Sequence, residues 1–199
     1  MPLLGPTDPL PFTPRRVAVS GTTGSGKSTL ARRIGTKLTL PYTELDSLFH
    51  GPDWTPRESF VEDVDRFTAE PAWVTEFQYD QARPMLVERA HLMVWLDISR
   101  RLVMWRVARR TVSRRWRRTE LWNGNKEAPL RTFFRDPEHI IRWAWNTHPT
   151  TAERAGEALR RRPELVVVRL TSTTEVESWL DGPASAREAA TRSDGGTPA

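Results

Sequence analysis

The feature that most constrains this chain is the segment GTTGSGKST, which runs from Gly21 to Thr29. It satisfies the pattern G-x-x-x-x-G-K-[ST], in which glycines let the backbone wrap so closely that successive N–H groups point at one anion. The run RRVAVS before it predicts a buried strand, and Leu30, Ile34 and Leu38 recur after it at helical spacing. A strand, a glycine loop and a helix in this order predict a phosphate-binding loop.

Each residue of this loop has an expected task. The Lys27 ammonium should reach the β- and γ-phosphates of a nucleoside triphosphate, the Ser28 hydroxyl should ligate Mg²⁺, and Thr29 should touch the α-phosphate. The helix that begins near Ser28 adds the positive end of its dipole. No guanine-reading pattern is evident, which favours ATP over GTP. We therefore expect ATP and Mg²⁺ as cofactors, bound by Gly21, Thr22, Thr23, Gly24, Ser25, Gly26, Lys27, Ser28 and Thr29.

Strands and helices alternate along the rest of the chain. Further apolar runs predict strands at 42–45, 73–77, 91–97 and 165–170, with helical patterns between them. Because parallel strands need crossover connections, this alternation predicts a three-layer α/β fold with a five-stranded parallel sheet. We expect residues 15–182 to form this domain. The proline-rich residues 1–14 predict an extended arm outside the core, and residues 183–199, which lack bulky apolar side chains, predict a disordered tail.

Three acidic residues fall at or near the ends of predicted strands. Asp46 follows the second strand, Glu76 lies near the end of the third, and Asp97 ends the fourth. In an open parallel sheet these ends border the ligand crevice, and phosphoryl transfer needs carboxylates for magnesium and for the acceptor. We expect Asp46 or Glu76 to orient the acceptor and Asp97 to assist Ser28 in holding Mg²⁺. A helix cap or a surface carboxylate is the alternative for each.

Arginine is concentrated between Arg100 and Arg118, where nine of the residues are arginine. Most of such a run is typically a solvated helix face. Its position before a glycine-containing loop nevertheless predicts an arginine-rich helical lid, at about 110–135, which closes over the triphosphate and expels water. The arginines expected to reach the nucleotide and its phosphates are Arg106, Arg110, Arg114, Arg131 and Arg135.

Composition narrows the remaining choices. The chain contains no cysteine, which excludes disulfides, cysteine-type zinc sites and thiol catalysis. The net charge of +5 comes mostly from arginine, which favours phosphorylated ligands, although a GC-rich genome would produce the same bias. The four histidines show no metal-ligand spacing. No apolar run approaches the ~20 residues of a membrane span, and the opening residues lack a signal-peptide pattern, so we expect a cytoplasmic protein without a membrane partner.

The chain resembles the adenylate-kinase-like small P-loop kinases, and among them the bacterial topology modulation (FlaR-like) proteins. The matching segments, between Val17 and Leu180, are GTTGSGKSTLARRIG, LPYTELDSLFHGPDW, PAWVTEF, MVWLDISRRLVMWRVARR, LWNGNKE and IIRWAWNTH. The resemblance implies kinase activity, an arginine-bearing lid whose arginines meet the phosphates, and an Arg110 that packs on the nucleotide base. Relatives commonly have D-G-N-Y after the third strand, where this chain has the sequence EFQY, residues 76–79.

Three functional hypotheses follow. The first is an ATP-dependent phosphotransferase that acts on a nucleotide or a similar small acceptor, with Lys27 and the lid arginines stabilising charge on the γ-phosphoryl group. The second is an NTP-dependent, nucleic-acid-associated regulator, which the arginine-rich helix suggests and the lack of a recognised DNA-binding motif disfavours. The third is an ATPase switch whose hydrolysis drives a partner interaction.

Overall fold

The computed structural model describes residues 3–117 and 150–185, except the side chains of residues 110–117. These ranges contain six strands and seven α-helices. The strands are β1 (Leu3–Leu4), β2 (Arg16–Gly21), β3 (Tyr42–Thr43), β4 (Trp73–Glu76), β5 (Leu92–Leu96) and β6 (Val166–Leu170). The helices are α1 (Lys27–Leu38), α2 (Leu45–Phe49), α3 (Phe60–Ala69), α4 (Arg83–Arg89), α5 (Arg100–Arg117), α6 (Thr150–Arg161) and α7 (Thr173–Asp181).

The six strands form one sheet in the order β1-β6-β5-β2-β4-β3, and every neighbouring pair is parallel. Strand β2 lies between β4 and β5, with Val19 paired to Glu76 and Gly21 paired to Leu96. The carboxyl ends of these three strands therefore meet at one edge of the sheet. In an open parallel sheet this edge carries the ligand site.

Apolar side chains cover both faces of the sheet. On one face Val17 and Val19 of β2 pack with α1, α5 and α7, and on the other face Ala18 packs with α3, α4 and α6. This alternation follows from the two-residue period of a strand. The expected α/β fold, a parallel sheet between two helical layers, is confirmed. Within the described ranges no helix is both long enough and apolar enough to cross a bilayer.

The strand count differs from the expected five because the N-terminal segment adds β1 to the sheet. Leu3 pairs with Val167 and Leu4 with Val168, along the edge of β6. Leu4 and Leu10 are 9% and 7% exposed and belong to the core. Burial of these two leucines holds the proline-rich segment against the sheet, so the segment expected to lie outside the core supplies part of it.

Two boundaries differ from those expected from the sequence, and two regions lie outside the described residues. The second strand ends at Thr43, and Leu45–Phe49 is a short helix, because the buried Leu45 turns inward and its N–H bonds to Glu76. At the other end, Ala184 is buried, so the predicted tail begins inside the packed structure. The remainder of the tail at 186–199 and most of the expected lid lie outside the described residues.

Truncation of Leu4 tests the role of β1. We expect Leu4→Ala to lower the free energy of unfolding by about 2 kcal/mol, because it removes buried methyl groups and leaves a cavity. The matched control is Leu3→Ala, since Leu3 is 47% exposed in the same strand and such surface changes cost at most about 0.5 kcal/mol. Urea unfolding measures both. Equal effects of the two substitutions would contradict the burial of Leu4.

Candidate active site

The loop between β2 and α1 has a backbone that only glycine adopts readily. Gly24 has a φ of +85° and Gly26 a φ of +104°, both in the left-handed region. A Cβ atom at Gly24 would lie 2.3 Å from Cγ2 of Val107, whereas one at Gly26 would meet nothing nearer than Arg106 Nη1 at 3.9 Å. Val107 of α5 thus packs closely against Gly24, whereas more space is left at Gly26.

Positive groups converge at this loop. Helix α1 begins at Lys27, directly after Gly26, so the N–H groups of its first turn have no acceptor within the helix and carry the positive end of its dipole. The Lys27 ammonium lies against the loop and donates to the Thr22 carbonyl oxygen at 3.2 Å. The loop is closed by the Ser25 N–H, which donates to the same oxygen at 3.1 Å.

The loop fits a polyphosphate with magnesium. The side-chain hydroxyls of Thr22 and Ser25 are buried and have no hydrogen-bond partner among the described residues. Ser28 is half-buried and Thr29 is exposed on the first turn of α1, where each hydroxyl is accessible to a ligand. In the described part of the chain no group of three or more His, Asp or Glu could hold a metal ion.

Arg106 ties helix α5 to the loop. Its Nη1 donates to the Ser25 carbonyl oxygen at 3.0 Å, and its Nη2 donates to Thr173 Oγ1 at 2.7 Å, at the start of α7. The Arg106 guanidinium therefore supports the loop through the Ser25 carbonyl. It lies close to the loop, as expected for a residue near the nucleotide. Both of these bonds go to the protein itself, so the geometry gives Arg106 a supporting task.

Asp97, expected near the metal, is engaged in an ion pair. Its Oδ2 accepts from Nε and Nη2 of Arg169 at 2.9 and 2.5 Å. The same guanidinium lies 5.1 Å from the ring centroid of Trp95, so it is fixed from two sides. Direct ligation of Mg²⁺ by Asp97 would compete with this pair, whereas an outer contact through water leaves the pair in place.

Glu76, one of the two acids expected to orient the acceptor, is turned inward. Glu76 is only 1% exposed to solvent. Oε1 accepts from the Tyr42 hydroxyl at 2.6 Å, and Oε2 accepts from the Leu45 N–H at 3.3 Å. Burial and the Glu76 carboxylate raise the pKa of Tyr42, so the phenol remains a donor. Glu76 thus braces the chain reversal from β3 into α2, and both its oxygens are already used.

Asp46, the other candidate, faces the site edge from α2. It is half-buried, and its Oδ1 accepts two hydrogen bonds of 2.6 Å, from Gln78 Nε2 and from the Tyr79 hydroxyl. Burial, together with the Asp46 carboxylate, raises the pKa of Tyr79 well above its ordinary value. The phenol therefore stays protonated and donates to Asp46 at every physiological pH.

Sequence reasoning missed the residues that surround Asp46. Gln78 and Tyr79 follow β4, and His50 lies with its Nε2 3.2 Å from the Tyr79 hydroxyl. Among the described non-glycine residues, left-handed φ values occur at Thr39, Asp53, Trp54 and Tyr79. Three of these four lie in or beside this cluster, and strained backbone tends to collect at functional sites. No sequence pattern encodes that geometry.

The side chains of the other lid arginines lie outside the described part of the structure. The backbone of α5 includes Arg110 and Arg114, but their side chains lie outside the description. Arg131 and Arg135 lie in residues 118–149, which the structure does not describe. Their contact with a nucleotide stays a prediction.

Comparisons with known proteins agree with this fold. No protein-family model matches the chain, and no curated protein matches it in sequence. Among solved structures, shikimate kinase from Acinetobacter baumannii, in complex with shikimate, matches with a TM-score of 0.50 and 12% identity, over 89% of this chain and 90% of that one. A gluconokinase from Sinorhizobium meliloti 1021 matches with a TM-score of 0.49 and 19% identity, over 93% and 99%.

At 12% identity the likeness to shikimate kinase shows a shared fold. The chain therefore has the α/β fold seen in that structure, with its own glycine loop at the carboxyl end of β2. The narrower resemblance to topology modulation proteins stays a prediction.

Replacement of Gly24 tests the shape of the loop. We expect Gly24→Ala to weaken Mg·ATP binding by about tenfold or more, because left-handed backbone and a contact with Val107 together cost more than about 1.4 kcal/mol. The matched control is Gly156→Ala, where the new Cβ would lie in α6 and meet only Arg160 Nη1, at 3.4 Å. That change should stabilise the helix by about 0.5–1 kcal/mol and leave binding unchanged. Calorimetric titration distinguishes them, and full affinity in Gly24→Ala would contradict this account of the loop.

Proposed function

We propose that this protein is a Mg·ATP-dependent phosphotransferase that moves the γ-phosphoryl group to a nucleotide or another small acceptor. One juxtaposition carries the proposal: the glycine loop with Lys27 at its end lies at the same edge of the sheet as the carboxylate of Asp46. The loop and Lys27 suit a triphosphate, and Asp46 suits an acceptor hydroxyl. The solved structure with the same fold, shikimate kinase, supports a kinase reaction.

The nucleotide side of the reaction uses positive charge. The loop amides and the Lys27 ammonium would bind the β- and γ-phosphates and stabilise the charge that spreads over the γ-phosphoryl oxygens. Ser28 would ligate Mg²⁺, and Asp97 would act on the metal's outer shell while it stays paired with Arg169. Arg110 is proposed for the base, and Arg114, Arg131 and Arg135 for the phosphates, while Arg106 supports the loop.

The acceptor side uses Asp46. We assign it, in preference to the buried Glu76, to orient the acceptor hydroxyl and to take its proton. As the new bond forms between the acceptor oxygen and the γ-phosphorus, the bond to the β-phosphate oxygen breaks. ADP and the phosphorylated acceptor leave, and the proton passes through Asp46 to solvent. Every atom of this exchange is supplied by ATP and the acceptor.

A second candidate function is nucleic-acid binding, which one feature of the protein surface favours. Trp105 is 58% exposed on α5, and the Arg109 guanidinium lies 5.0 Å from its ring centroid. Exposed aromatic and arginine side chains on a helix without acidic residues can stack on bases and pair with phosphates. Retention on single-stranded DNA that falls steeply with salt, with and without ATP, would favour this alternative.

Loss of the Lys27 ammonium tests the nucleotide side. We expect Lys27→Ala to lower turnover by about 10²–10³-fold and to weaken ATP binding while the fold stays intact. Lys37→Ala is the matched control, because Lys37 lies on the same helix and forms an ion pair with the exposed Asp181. Steady-state kinetics measure turnover, titration with ATP measures binding, and circular dichroism checks the fold. Unchanged ATP affinity and turnover in Lys27→Ala would defeat the proposal.

Substitution of Asp46 tests the acceptor side. The wild-type protein is first screened with Mg·ATP against nucleoside monophosphates, D-gluconate, shikimate and small alcohols. With the best acceptor, Asp46→Asn should lower kcat by about 10²–10⁴-fold and leave ATP affinity unchanged. Asp65→Asn, which removes a charge from a surface pair with Arg89, is the control. If Asp46→Asn kept wild-type kcat, Asp46 would not be the group that handles the acceptor.

A further inference from the structure

The Asp46 carboxylate has two unlike oxygens. Oδ1 accepts from both Gln78 Nε2 and the Tyr79 hydroxyl, each at 2.6 Å. In the ranges 3–117 and 150–185, no donor to Oδ2 is found. A carboxylate held by two donors on one oxygen cannot rotate freely, since rotation would break both charge-assisted hydrogen bonds. The other oxygen therefore has a fixed direction and remains able to accept a third hydrogen bond.

The backbone of Tyr79 is strained, and its side chain is fixed. Its φ of +62° lies in the left-handed region, which costs a non-glycine residue about 1–2 kcal/mol. Glycine would adopt this conformation without that cost, yet the chain has tyrosine there. Its ring stacks on Phe49 at 4.1 Å and meets Phe60 edge-on at 5.2 Å. The hydroxyl also contacts His50 Nε2 at 3.2 Å. The ring contacts hold the phenol with its hydroxyl within hydrogen-bond distance of Asp46 Oδ1.

We propose that Tyr79 is a positioning residue, which holds Oδ1 of Asp46 so that Oδ2 meets the acceptor hydroxyl. This inference rests on the proposed phosphotransfer. Tyr79 itself gains and loses no proton in the reaction, and the proton of the acceptor passes to Oδ2. Gln78 supplies the second donor, and His50 limits the rotation of the phenol. The strained tyrosine is thus explained by its hydroxyl, which a glycine would lack.

The same chain contains a matched comparison. Tyr42 also donates a phenolic hydrogen bond of 2.6 Å to a carboxylate, that of Glu76. That carboxylate is buried and has its second oxygen bonded to Leu45 N–H. Removal of either phenolic hydroxyl deletes one oxygen atom and one donor, but only Tyr79 acts on a carboxylate with an available oxygen. The two substitutions therefore separate positioning of the acceptor from support of the fold.

The experiment compares Tyr79→Phe and Tyr42→Phe with the wild type, using the best acceptor of the screen and Mg·ATP. We expect Tyr79→Phe to lower kcat by about 10–100-fold, since small misplacements of a reacting group have effects of that size. The KM for ATP and the thermal midpoint should stay near the wild-type values, because the ring contacts remain. Tyr42→Phe should lower the thermal midpoint and keep kcat close to that of the wild type.

The outcomes distinguish this inference from the function on which it rests. Wild-type kcat in Tyr79→Phe, or equal losses of kcat in the two variants, would overturn the positioning role while phosphotransfer by the wild type stands. A wild type that transfers phosphate to no acceptor would overturn the proposed function and the inference with it. A crystal structure of Tyr79→Phe should also show the Asp46 carboxylate rotated about Cβ–Cγ. An unmoved carboxylate would count against the proposal.

Discussion

The contact between the glycine loop and helix α5 is the constraint on which the site depends. Gly24 leaves no room for a side chain because Val107 occupies that space, and Arg106 holds the Ser25 carbonyl from the same helix. Packing against α5 therefore supports the left-handed path of the loop. A loop shaped in advance loses less conformational freedom when it binds an anion, which strengthens binding.

A second constraint fixes the acceptor side. The chain leaves β4 through Glu76, whose buried carboxylate secures Tyr42 and the start of α2. That arrangement places Asp46 beside the residues that follow β4. The two carboxylates thus have different tasks because they differ in burial. The buried Glu76 organises the backbone, whereas the half-buried Asp46 keeps one oxygen available. Phosphoryl transfer needs this kind of positioning, because the protein takes little covalent part in the reaction.

Sequence reasoning succeeded where local pattern decides structure. The glycine loop, the strand before it and the helix after it carry their geometry in residue types, and the alternation of strands and helices fixed the layer order. It failed at β1, where burial of two leucines among prolines depends on a distant strand. It also failed to separate Asp46 from Glu76, since the sequence places both at or near strand ends. Their difference comes from tertiary hydrogen bonds and from the strained φ of Tyr79, neither of which a single sequence reveals.

The most direct test of the central claim is a titration of the ¹⁵N-labelled protein with a non-hydrolysable ATP analogue and Mg²⁺, followed by NMR. If the loop amides bind the triphosphate, the largest changes in amide shift should fall on residues 22–29, with smaller ones at Arg106 and none along β1. Changes confined to other surfaces, or no change at millimolar analogue, would contradict the account.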